Sequence, residues 1–186
     1  MGEDSKARLV IKLESSRSAG AGALAAYLLR RLASRAGSYA PGIHEHIFFE
    51  VTNSSRGGTL GQVEKWLVGR SSIMSELGYY VHQRPVKAPT DDVIEWIDKG
   101  DGYRAAILMT DGVALYGNSS LSGRHAVGLS MHDATSGANG NSLEEGLMMI
   151  DPWPGLDRFC APPATLERAH RLSKYSALLM YWIGHA

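Results

Sequence analysis

Cysteine is nearly absent: Cys160 is the one thiol in 186 residues. An intrachain disulfide framework is therefore excluded. Its setting, Arg158-Phe159-Cys160-Ala161-Pro162-Pro163, reads as that of a structural or surface thiol rather than a nucleophile. Excess charge is lacking too. Lys plus Arg and Asp plus Glu number 19 each, so the chain is formally neutral. Nothing in that balance favours sequence-independent nucleic-acid binding, and Arg30-Arg31 with Arg35 reads as a solvated helix face. No apolar run reaches the length of a membrane span. The start, Met1-Gly2-Glu3-Asp4-Ser5-Lys6, lacks the charged-then-apolar layout of a signal peptide. The expectation is a cytoplasmic protein, or one secreted without a signal peptide, as an injected effector would be. Internal repeats and low-complexity segments are missing.

What is present suits one globular domain over residues 1–186, with 44% hydrophobic and 20% charged residues. Arg8 to Leu13 predicts a short strand, and Ala23 to Ala36, rich in Ala and Leu, a helix ended by Gly37. His44 to Val51 predicts a strand. A second helix starts at Thr59, where Thr59-Leu60-Gly61-Gln62 fits a capping box. Val63, Trp66, Leu67, Ile73, Met74 and Leu77 continue its apolar stripe. Pro85 and Pro89 mark a connector, and Thr90 to Lys99 a short helix. Strands are predicted over Tyr103 to Thr110, Val113 to Tyr116, His125 to Met131 and Gly146 to Ile150, with Asp111-Gly112 as a hairpin turn. A final helix is predicted from Thr165 to Ile183, with Leu166, Ala169, Leu172, Ser176, Leu179, Met180 and Ile183 facing the core. Helices early and strands late give an α+β class, with helices packed on one side of an antiparallel sheet.

Two segments carry the chemistry. His125 opens one strand-like run, Gly123-Arg124-His125-Ala126-Val127-Gly128-Leu129, and Asp151 closes another, Met149-Ile150-Asp151-Pro152-Trp153-Pro154-Gly155. On neighbouring strands the two side chains would meet, and a carboxylate behind an imidazole fixes its tautomer. The plainer readings are a strand-end histidine bonded to a carbonyl, and an aspartate forming a turn before proline. His44 and His46 share one strand face with Glu50, a possible metal site, but no third strong ligand stands nearby. His132-Asp133 is another possible pair, entering a Gly-rich loop.

A helix start at Thr59, then a histidine, then an aspartate is an order that resembles papain-like cysteine peptidases. Ile94-Glu95-Trp96-Ile97-Asp98-Lys99-Gly100, His125-Ala126-Val127-Gly128-Leu129 and Ile150-Asp151-Pro152-Trp153 resemble the bacterial double-glycine-leader-peptidase-like and YopT-like groups. The resemblance spans roughly residues 50 to 155. It implies a papain-like fold, His125 as general base, Asp151 as its orienter and no cofactor. The family's nucleophilic cysteine stands near the start of the central helix. Here that stretch, Asn53 to Trp66, keeps Gly57-Gly58 and Trp66 but has no cysteine. Ser55, Thr59 or Leu60 takes the place, depending on alignment. Asn53, six residues before Thr59, matches the family's oxyanion-hole amide. For Thr59 the plainer reading is helix capping.

Two functions are therefore expected. One is a thiol peptidase or amidase acting on a protein or peptide, in the setting of a bacterial effector or toxin, impaired here as a natural pseudo-enzyme or a cysteine-replaced variant. The other is a non-catalytic protein-binding or regulatory module on the same fold.

Overall fold

A computed structural model describes residues 9–12, 21–38, 60–117, 123–132, 146–151 and 163–186. Its strands are β1 (Leu9–Lys12), β2 (Val81–Lys87), β3 (Arg104–Asp111), β4 (Arg124–His132), β5 (Gly146–Asp151) and β6 (Ser176–Trp182). The helices are α1 (Ala21–Arg35), α2 (Leu60–Gly69), α3 (Ser71–Glu76), α4 (Thr90–Asp98), α5 (Gly112–Tyr116) and α6 (Pro163–Leu172). The class is α+β. The strands form one six-stranded sheet in the order β1-β5-β4-β3-β6-β2. β1 lies parallel to β5, and every other pairing is antiparallel.

The helices cover both faces of this sheet, not the single face expected. Side chains alternate along a strand, and β3 splits accordingly. Ala105, Ile107 and Met109 pack with Leu178, Met180 and helices α1 to α3. Ala106 and Leu108 pack on the opposite face with Ala177, Leu179, Val127, Leu129 and helices α4 to α6. A central strand buried on both sides reads as a continuous apolar run, as Ala105-Ala106-Ile107-Leu108-Met109 does. Each fully buried leucine or isoleucine there stabilises by roughly 1.5–3 kcal/mol.

α1 forms as its composition predicts. Ala21, Leu24, Ala25, Leu28, Leu29 and Leu32 fall on one stripe and are buried. Gly37, at φ +72°, ends it: its N–H bonds the Ser34 carbonyl and that of Ser38 the Ala33 carbonyl. Gly128 on β4 lets α1 come close, since a Cβ there would lie 3.3 Å from Leu24 and 3.4 Å from Ile150.

Four further expectations are corrected. The helix begun near Thr59 is two helices broken at Arg70, whose φ of −114° leaves the helical range. The break shifts the stripe, so Ile73 and Leu77 are exposed while Met74 is buried. The connector at Pro85 is the edge strand β2. The Ala88 N–H bonds the Tyr175 carbonyl and the Ile183 N–H bonds the Tyr80 carbonyl, so even-numbered positions turn their backbone toward β6. Pro85 thus falls where its missing N–H would point to solvent, the place an edge strand tolerates it. Asp111-Gly112 does not turn a hairpin. The Asp111 carboxylate accepts the Ala114 N–H at 2.8 Å and caps α5, so Val113 to Tyr116 is helical. Finally, the last helix stops at Leu172. Lys174 and Tyr175 adopt left-handed backbone at φ +58° and +54°, and the chain re-enters the sheet as β6 between β3 and β2. Leu172 and Ile183, expected in the core, are exposed. The strand expected at His44 to Val51 lies outside the described residues. No helix among the described residues is long and apolar enough to cross a membrane.

Candidate functional site

β4 begins and β5 ends at one rim of the sheet, and this places His125 beside Asp151. The two strands are antiparallel, with Gly128 opposite Ile150 and Leu129 opposite Met149. Alternation puts Asp151 on the face of Met149 and His125 on the face of Val127 and Leu129, the side covered by α4 to α6. His125 Nε2 stands 2.9 Å from Asp151 Oδ1 and 3.0 Å from Oδ2. Asp151 is fully buried, whereas 23% of the His125 side chain is exposed.

Neighbouring elements hold the histidine in place. The buried Thr110 hydroxyl on β3 donates to the His125 carbonyl at 2.6 Å, where the two residues are cross-strand partners. From α5, the Tyr116 ring meets the imidazole edge-on at 5.6 Å. Burial lowers the imidazole to about 4, while the facing carboxylate acts in the opposite sense by favouring a ring cation. A neutral ring at pH 7 donates its Nε2–H to Asp151 and keeps a lone pair on Nδ1. That is the state a general base needs: fixed tautomer, uncharged, one nitrogen free to accept a proton. No group among the described residues bonds to Nδ1.

Of the other catalytic candidates, Leu60 is the one among the described residues. Leu60 opens α2 and is buried in the cluster on the α1 face, opposite the side chains of His125 and Asp151. Ser55, Thr59 and Asn53 lie outside the described residues, as do Cys160, His44, His46 and Glu50. Among the described residues no group of three or more His, Cys, Asp or Glu is placed to hold a metal ion.

Three residues of this face escaped the sequence. Thr110 read as one more strand residue. Tyr116 ends a segment whose sequence suits a strand, which hides its approach to His125. His170, fully buried on α6, carries no local signal, since its partners are backbone carbonyls distant in sequence.

No family model matches the chain, and no curated protein or solved structure matches it.

Proposed function

We propose that this chain is a papain-like thiol peptidase or amidase domain that keeps the base half of its site and has lost the thiol. The observation that carries the reading is the 2.9 Å approach of His125 Nε2 to a fully buried Asp151 carboxylate. In the intact reaction a nucleophile attacks the carbonyl of a protein or peptide substrate. His125 Nδ1 takes the nucleophile's proton, and Asp151 holds the tautomer and steadies the imidazolium. Collapse of the tetrahedral intermediate expels the amine, which takes that proton back, and leaves an acyl-enzyme for water to resolve. Ser55 and Thr59 offer hydroxyls, which ionise far less readily than a thiol, so a site built for a thiolate works poorly with them. A bacterial effector or toxin is the setting we favour, and no cofactor enters.

A second reading, a non-catalytic binding or regulatory module, draws on Leu60. One of the three places the resemblance offers for the nucleophile is filled by a core side chain on the face opposite His125.

One experiment separates them. Cysteine is introduced singly as Ser55→Cys, Thr59→Cys or Leu60→Cys in a Cys160→Ser background, and its alkylation rate is followed with pH. The peptidase reading expects Ser55→Cys or Thr59→Cys to react at neutral pH at least tenfold faster than an ordinary thiol, and to lose that excess when His125→Ala is added. Leu60→Cys serves as the slow control. Ordinary reactivity at positions 55 and 59, indifferent to His125, would sink it in favour of the binding module.

A further inference from the structure

Away from the His125–Asp151 pair, the start of β6 poses a backbone problem. β6 is inserted between β3 and β2 and begins at Ser176. Continuing the pairing registers sets Met109 on β3 opposite Ser176, and Ala88, just after β2, opposite Tyr175. The N–H groups that would serve their carbonyls turn elsewhere, that of Ser176 to the Ser173 carbonyl and that of Tyr175 to the His170 carbonyl. A single side chain stands in. His170 Nδ1 lies 2.9 Å from the Met109 carbonyl, and Nε2 lies 3.1 Å from the Ala88 carbonyl. The residue is fully buried. Carbonyl oxygens only accept, so both bonds form only when both ring nitrogens carry hydrogen. A neutral imidazole has one N–H and turns a lone pair toward the second oxygen.

Among the described residues, the following charged and titratable groups bear on the ring. On its own helix Glu167 lies one turn back, with Arg171 3.8 Å from that carboxylate. From the following turn the Tyr175 ring meets His170 edge-on at 5.3 Å, and its hydroxyl donates to Glu167 at 2.7 Å. Asp91 on α4 acts on Tyr175. β3 presents the Met109 carbonyl, and α5 carries no charged residue. Burial is the largest influence and lowers the proton affinity of His170, while the two carbonyls and Glu167 work against it.

We propose that His170 is a proton-operated cap on the sheet, holding the Met109 carbonyl alone when the ring is neutral and adding the Ala88 carbonyl when it takes a second proton. Met109 is the nearer acceptor and lies in the central strand, so its bond persists. The Ala88 bond, at the junction of β2 and α4, is the one that switches. The edge of the sheet is thereby tied to α6 in acid and released from it at neutral pH.

The test is a ¹⁵N and ¹³C NMR titration of the whole chain from pH 7.5 to 4.5. One protonated and one bare ring nitrogen are expected for His170 at pH 7.5, both protonated at the acid end. The Ala88 carbonyl resonance is expected to shift with the same midpoint, and to lose that shift in His170→Gln. A ring that keeps one N–H throughout, or an Ala88 carbonyl that does not follow it, overturns the proposal. Should His170→Gln fail to fold, the two wild-type midpoints decide: coincidence supports the cap and divergence refutes it.

Discussion

At the residue scale, His125 and Asp151 differ most in their access to water. The carboxylate is sealed in, while 23% of the imidazole side chain remains exposed. Asp151 therefore sets the tautomer, because Nε2–H has a buried acceptor at 2.9 Å and Nδ1 has none among the described residues. Asp151→Ala removes that acceptor and leaves a donor poorly satisfied, at a cost of about 1–3 kcal/mol. Asp151→Asn retains an oxygen for Nε2–H and should lose less. Urea unfolding measures the cost, and ¹⁵N shifts of the ring measure the tautomer. The Nε2–H form should dominate in the wild type and in Asp151→Asn and become mixed in Asp151→Ala. An unchanged tautomer in Asp151→Ala would mean that the carboxylate does not orient the ring. This pair was legible in the sequence because each residue sits at the end of an apolar run, where strand pairing can bring such ends to one rim. The face on which the pair lies was not legible. It depends on register, and a step of one residue moves every side chain to the other side.

At the scale of elements, α5 ties the fold to the site. Five residues make a weak helix, so its cap and its packing carry it. Asp111→Ala should cost about 1 kcal/mol by removing the carboxylate that accepts the Ala114 N–H. It should also loosen Tyr116 from the His125 ring, visible as a change in the His125 proton shifts. Asp111→Asn should preserve both, and equal behaviour of the two variants would refute the capping role. The same aspartate explains a misreading, because Asp-Gly between apolar residues suits a hairpin as well as a cap, and only the partner of Ala114 distinguishes them. β6 was hidden for a related reason. Ala177-Leu178-Leu179-Met180 is apolar without a period, and such a run fits a buried strand as well as the end of a helix. By contrast α1 was plain, since its buried residues recur at helical spacing over its length and a glycine ends it.

Over the whole molecule, a sheet covered on both faces buries titratable groups that a one-sided sheet would leave wet. His125 and His170 both lie beneath the helices of the same face, and burial lowers both imidazoles. The folded protein thus binds these protons less tightly than the unfolded chain does. For such groups the full stability is present above the unfolded value, near 6.5, and is lost as pH falls toward the folded value, about 4 for His125. By pH 5 the loss from His125 should be about 1–2 kcal/mol, held down by its residual exposure and by the facing carboxylate. His170 adds a loss of the same sign, because its second bond to Ala88 only partly offsets the burial of a charge. Urea midpoints at pH 7.5, 6.5, 5.8 and 5.0 test this in a window where few carboxylates have begun to titrate. A steady fall is expected below pH 6.5, and His125→Asn should flatten part of it. A midpoint constant from pH 7.5 to 5.0 would mean that both rings bind protons as readily in the fold as in water. The base proposed at His125 would then be half-charged near its ordinary value, and the neutral imidazole on which the proposed reaction depends would no longer dominate in mild acid.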